Sequence, residues 1–218
     1  MRTVLLVFTR HPFRPMMKEM RRRSLVAALL SLAMLSTVSP VASVAGFGDV
    51  EDGRYFTAPV QWMVGDGITN GTSPSCFSPS VSVSRGQAAA FLWRMEGRPA
   101  AEPHPFSDVY KGWQQDPVSW LFAEGITTGT SSSTFSPDRA LTRGQFAALL
   151  YRFADRPPVA EPHPFSDVDK GWQQDPVSWL FAEGITTGTS ATEFSPGDPV
   201  TRGQMATFLY RYQGSPPV

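Results

Sequence analysis

Three arginines stand where a helix dipole disfavours them. Arg85, Arg143 and Arg202 recur at intervals of 58 and 59 residues, each inside a [Ser/Thr]-Arg-Gly-Gln motif. The Ser or Thr and the Gln three positions on form a capping box, which starts a helix at the arginine. A cation in that first turn is disfavoured by roughly 0.3–1 kcal/mol, whereas an acid would be stabilised. The chemistry that offsets this is anion recognition. A guanidinium grips a carboxylate through two parallel charge-assisted hydrogen bonds, and backbone N–H groups at a helix start add donors. Gly86, Gly144 and Gly203, next in the motif, would let a ligand approach the backbone at some cost in helix propensity. The other use of the arginines is internal: a salt bridge to Asp49, Asp108 or Asp167, the acids of a repeated Phe-x-Asp-Val motif. The two uses are compatible, with the aspartate orienting the arginine. On the ligand reading, Arg143→Ala weakens binding and leaves folding almost unchanged.

Other side chains suit the same chemistry. Trp113 and Trp172, beside Lys111 and Lys170, are candidates for stacking on a sugar face, with Tyr55 or Phe56 in their place in the first copy. Trp62, Trp120 and Trp179 lie among apolar helix residues and read as core. Gly71, Gly129 and Gly188 end Gly-Ile-Thr-x-Gly segments, which either stop a helix and turn or bare backbone donors for a ligand. A glycosidase needs two carboxylates of separated pKa across one cleft, and Asp108 and Glu124, present in copies, do not suggest that division. Without a metal-ligand cluster, nucleophile triad or phosphate loop in the sequence, the chain reads as a non-enzyme with no cofactor.

The elements that position these residues come in three copies. Phe47, Phe106 and Phe165 are each 59 apart, and residues 102–131 and 161–190 differ only at Tyr110 versus Asp169. The expected division is an export signal at 1–45, then repeats at 46–98, 99–156 and 157–218. Each repeat reads as helix, irregular loop, helix, which makes the fold all-α. The first helix is expected to start where Asp116 caps and Pro117 fills the first position, likewise at Asp175 and Pro176, with Thr57 or Ala58 capping before Pro59. The loop from Ile126 to Leu141 is ordered by the apolar pins Ile126 and Phe135. The second helix carries Phe146, Leu149, Leu150 and Phe153 as a stripe. Two short helices expose too much apolar surface to stand alone, so the copies pack around a pseudo-threefold axis with similar grooves between neighbours. Proline-rich joints at 98–105 and 156–164, which hold His104 and His163, act as stiff spacers.

The N-terminus has the build of an export signal: Arg21, Arg22 and Arg23 before an apolar stretch from Leu25 to Leu35, then small residues at Ser43-Val44-Ala45. The stretch is shorter than the roughly 20 residues of a membrane-spanning helix. From Gly46 onward there are 12 lysines and arginines against 18 acids, a balance of −6. That negative surface argues against a nucleic-acid partner. Cys76, the only cysteine, cannot form an internal disulfide.

The ordered set Phe-x-Asp-Val, Trp, Gly-Ile-Thr-x-Gly, Phe-Ser-Pro and [Ser/Thr]-Arg, three times over, resembles the S-layer homology (SLH) module. The resemblance implies a mostly helical, three-module anchor at the bacterial cell surface. Such an anchor binds a secondary cell-wall polysaccharide, commonly one carrying pyruvate ketals, and holds surface proteins on the cell. The family's motif ends Thr-Arg-Ala-Glu, its arginine contacting the glycan's acidic group, which by position implies Arg85, Arg143 and Arg202. This chain has Gly-Gln in place of Ala-Glu, which removes a negative charge beside the expected anion site. A surface protein is the expected second partner, and a protein-binding adaptor using the same grooves is the alternative function.

Overall fold

The capping boxes fold as their spacing dictates. The computed structural model describes residues 44–218, so the expected export signal, but for its last two residues, lies outside the described residues. Among the described residues, six α-helices follow a short 3-10 turn at Val44–Gly46: α1 Thr57–Gly65, α2 Arg85–Met95, α3 Gly112–Ala123, α4 Arg143–Phe153, α5 Gly171–Ala182 and α6 Arg202–Tyr212. Among the described residues there are isolated β-bridges but no strand, and no helix is long and apolar enough to cross a membrane. Ser84, Thr142 and Thr201 each accept from the third helical N–H, and the glutamine there accepts from the cap's own N–H.

The first helix of repeats 2 and 3 starts earlier than expected. Lys111 and Lys170 are the N-caps, without side-chain caps, and Pro117 and Pro176 sit inside α3 and α5. A proline there gives up one intrahelical hydrogen bond. The earlier turn forms because the backbone N–H of Gln114 donates to Lys111 O and the Gln115 side chain reaches back to Val109 O, with the same pattern at Gln173 and Gln174. In repeat 1 the cap is Phe56 rather than Thr57 or Ala58. Thr57 braces that turn as the first helical residue, its Oγ1 donating to Glu51 O and accepting from Arg54 N.

Helices pair across repeats. α2 packs on α3, α4 on α5, and α6 returns to α1, so the last repeat closes on the first. The Trp62 ring meets Tyr210 at 5.9 Å and Tyr151 meets Trp179 at 5.7 Å across two of these pairs. At the centre the segments leading into the second helices form a cycle. Val83 N donates to Val200 O, Val200 N to Leu141 O and Leu141 N to Val83 O, each at 2.9 Å. One continuous apolar core results, in which Phe77, Phe135 and Phe194 are fully buried and Ile68, Ile126 and Ile185 almost so. The joints are pinned as well, Trp93 Nε1 and the Tyr151 hydroxyl donating to the Pro99 and Pro157 carbonyls, and the segment after α6 is held likewise by the Tyr210 hydroxyl on Pro216 O.

The three repeated tryptophans are core, Trp120 only 5 % exposed. Trp120→Ala is expected to cost about 3–5 kcal/mol. Because the repeats share one core, urea denaturation followed by far-UV circular dichroism should show one earlier transition for the whole ring, not the loss of a third of the signal.

Candidate functional site

The repeated arginines and aspartates converge on one peptide unit. In repeat 2 the Asp108 carboxylate accepts from the N–H of Phe135 at 2.8 Å and of Ser136 at 2.7 Å. On the other side of Phe135, its carbonyl accepts from Arg85 Nε of the preceding repeat at 2.7 Å. The Arg85 guanidinium also lies 4.7 Å from the centre of the Phe135 ring. Asp167 and Arg143 hold Phe194 in the same way. Asp49 and Arg202 hold Phe77, so this link joins the last repeat to the first. The aspartate also secures the serine after each phenylalanine in left-handed backbone, with φ between 56° and 59° at Ser78, Ser136 and Ser195.

Two expectations about the arginines are thereby corrected. No spare backbone donors stand beside them. The N–H groups of Arg143 and Gly144 donate to Asp198 and Pro196 carbonyls, and the equivalents at Arg85, Gly86, Arg202 and Gly203 are likewise taken. The internal salt bridge does not form either, because the carboxylates face backbone N–H groups. The three arginines are only 3–5 % exposed. Burial pushes the pKa of Arg85 and of Arg202 down to about 10 and lowers that of Arg143, so all three keep their charge at neutral pH. A hydrogen bond from a charged group contributes roughly 1.5–3 kcal/mol and stacking on an aromatic face about 0.5–2, more than the dipole term they oppose. Arg143 and Arg202 each retain a buried Nη2 with no hydrogen-bond partner among the described residues.

The glycines serve the packing. A Cβ on Gly144 would lie 2.1 Å from Gln173 Nε2 and 3.0 Å from Pro196 O, and Gly86 and Gly203 face Gln114 and Phe56 in the same way. Gly71, Gly129 and Gly188 have φ between +83° and +86°, and a Cβ there would fall 2.5 Å from the Phe47, Phe106 or Phe165 ring. These glycines face the protein's own backbone and aromatic rings, so the ordered loop accounts for them.

A cleft of about 400 Å³ opens between repeats 2 and 3. Arg139, Thr142 and Gln145 form its wall in repeat 2. Asp167, Asp169, Lys170, Trp172 and Gln173, with Pro196 and Gly197, form the wall in repeat 3. Of the residues singled out by sequence, Asp167, Trp172 and Lys170 meet here. Arg143 and Gly144 do not line the cleft but lie between Thr142 and Gln145, which do. Trp172 is 48 % exposed, as is Trp113 in repeat 2, and it also borders a smaller hollow with Tyr151, Arg152 and Asp175. Sequence comparison missed Arg139 because it has no counterpart, Val81 and Asp198 standing at its place. It also missed Arg94, Arg152 and Arg211, whose Nη1 donates to the Ile68, Ile126 and Ile185 carbonyls just beyond the first helix. Their own regular interval was the available signal.

Arg143→Ala is now expected to lower stability by about 2–3 kcal/mol, through the lost hydrogen bond and stacking. Arg143→Lys is not expected to restore it, because an ammonium lacks the planar fork. Gly129→Ala should cost more than about 2 kcal/mol, since positive φ and backbone contact both oppose it. Urea titration of the three variants against the parent chain checks the order.

Comparison with known proteins agrees with this architecture. The S-layer homology domain pattern matches residues 46–89, 105–147 and 164–206. The chain is 37 % identical over 108 residues to an endoglucanase of Bacillus sp. (strain KSM-635), covering 49 % of this chain and 11 % of that protein. It is 28 % identical to the surface-layer 125 kDa protein of Lysinibacillus sphaericus, over 90 % of this chain and 17 % of the relative. It is 22 % identical to a cellulosome-anchoring protein of Acetivibrio thermocellus, over 62 % and 33 % respectively. The chain thus spans between about a tenth and a third of the length of these relatives. With the pattern matched three times across most of the described residues, the chain belongs to the S-layer homology domain family.

Proposed function

We propose that the chain is a non-covalent cell-wall anchoring module of the cell surface. It binds an acidic secondary cell-wall polysaccharide, with pyruvate ketals as the acidic groups, through the clefts between repeats. The observation that carries this reading is the cleft between repeats 2 and 3, where an exposed indole stands beside exposed cations. An aromatic face offers a platform for the apolar face of a sugar ring, and Lys170 and Arg139 complement its carboxylate. The buried Arg143 acts from behind, placing the Phe194 loop and keeping a positive charge near the cleft. Asp167 holds that same loop and lines the cleft.

The relatives named for a surface layer and for anchoring support the same reading, and so does the match to an endoglucanase. Only a small fraction of that enzyme corresponds to this chain, which is the pattern of an anchoring part shared by proteins that differ elsewhere. Of the carboxylates on which a hydrolase could draw, Asp108 and its copies Asp49 and Asp167 are engaged, accepting backbone hydrogen bonds that hold the loops, and Glu124 stands apart from the cleft. Catalysis is therefore not the reading the geometry favours.

A pull-down of residues 46–218 on native cell-wall sacculi, and on sacculi stripped of secondary polysaccharide, tests the proposal. Binding should be lost on stripping and reduced several-fold by Trp172→Ala, which removes an exposed aromatic face and little core. Equal binding to stripped sacculi overturns it and moves the protein-binding adaptor forward.

A further inference from the structure

The three inter-repeat grooves share one frame but not one set of side chains. Resting on the anchoring reading, we infer that only the groove between repeats 2 and 3 takes up the acidic sugar, and that Asp138 closes its counterpart between repeats 1 and 2.

The difference arises at two positions. In the groove between repeats 2 and 3, Gly197 stands beside Lys170, and among the described residues neither Lys170 nor Arg139 has an acid within salt-bridge distance. In the groove between repeats 1 and 2 the position of Gly197 is Asp138. Lys111 Nζ donates to its two carboxylate oxygens at 2.7 and 2.8 Å, and Gln114 Nε2 donates at 3.4 Å. The hydrogen bond between them raises the pKa of Lys111 and lowers that of Asp138, so both stay ionised. The position of Arg139 there is Val81. An anion reaching that groove finds its one lysine already neutralised and a carboxylate in the way.

The third groove, between repeats 3 and 1, is less suited still. Asp198 replaces the arginine, and Glu51-Asp52-Gly53-Arg54-Tyr55 stands where the other repeats carry the lysine and the tryptophan; its one cation, Arg54, lies 3.9 Å from Glu51. Asp169 lines the open groove together with Lys170 and Arg139; it stands where repeat 2 has Tyr110 and repeat 1 has Glu51. Like charge across a contact excludes a ligand more effectively than a missing contact does. Repeats 2 and 3, nearly identical through their first helices, thus differ in function by the residues after Phe-Ser-Pro.

Isothermal titration with a methyl hexopyranoside carrying a pyruvate ketal, beside the same hexoside without it, tests the inference on residues 46–218. The parent chain should bind one equivalent of the ketal sugar and none of the neutral one. Gly197→Asp should weaken binding by roughly tenfold or more, by pairing with Lys170. A Cβ at Gly197 meets nothing within 4 Å and its φ is ordinary, so the fold is expected to tolerate the change, which a thermal melt checks. Asp138→Gly should add a second, weaker site, because Val81 supplies no arginine there, and no second site in that variant overturns the role given to Asp138. Two or three equal sites in the parent chain, or unchanged affinity in Gly197→Asp, overturn the single-groove inference and leave anchoring intact. So does polysaccharide-dependent binding to sacculi without binding of the ketal sugar. Failure to bind native sacculi overturns the anchoring reading and the inference with it.

Discussion

The peptide unit at Phe77, Phe135 and Phe194 is the point on which the assembly depends. Its N–H is held by an aspartate of its own repeat and its carbonyl by an arginine of the preceding one. A single buried residue therefore reports on two repeats at once. The buried guanidinium stays charged because its carbonyl partner and the aromatic face replace part of its hydration, and the nearby aspartate supplies the opposite sign. Removing any member leaves a buried polar group without its partner, which is costlier than removing a surface ion pair. The oddly placed cation at the helix start is thus first a fastening between neighbours.

Much of this was legible beforehand. Capping boxes, the three copies, the buried loop pins and the core tryptophans all follow from local patterns that tertiary structure leaves in place. The starts of α3 and α5 were not, because Asp116-Pro117 imitates a helix opening that the Gln115 side chain pre-empts one turn earlier. The arginines stand out in the sequence, but it could not tell that carbonyls of the next repeat reach their backbone N–H groups. That contact spans more than fifty residues, and at Arg202 it depends on ring closure. Arg139 escaped for the opposite reason, since looking for what all copies share discards what one copy alone possesses.

Frame and surface consequently obey different rules. The frame requires sameness: the arginine, the aspartate and the close-approach glycine must recur in each repeat, or one joint of the ring fails. The groove rims carry no such demand. Exposed positions such as Ser80, Asp138 and Gly197 change without disturbing the core, so three equivalent scaffolds can present three different charge patterns. Binding specificity can diverge there with little effect on stability.

The cycle of backbone hydrogen bonds among Val83, Leu141 and Val200 has a further consequence. Each segment gives one bond and receives one, so none is left over. A stacked solenoid can lengthen by adding units at an end, since its last repeat always offers a face to the next. A saturated three-membered cycle offers none. A further copy of this 59-residue unit would find no open bond in the cycle to join.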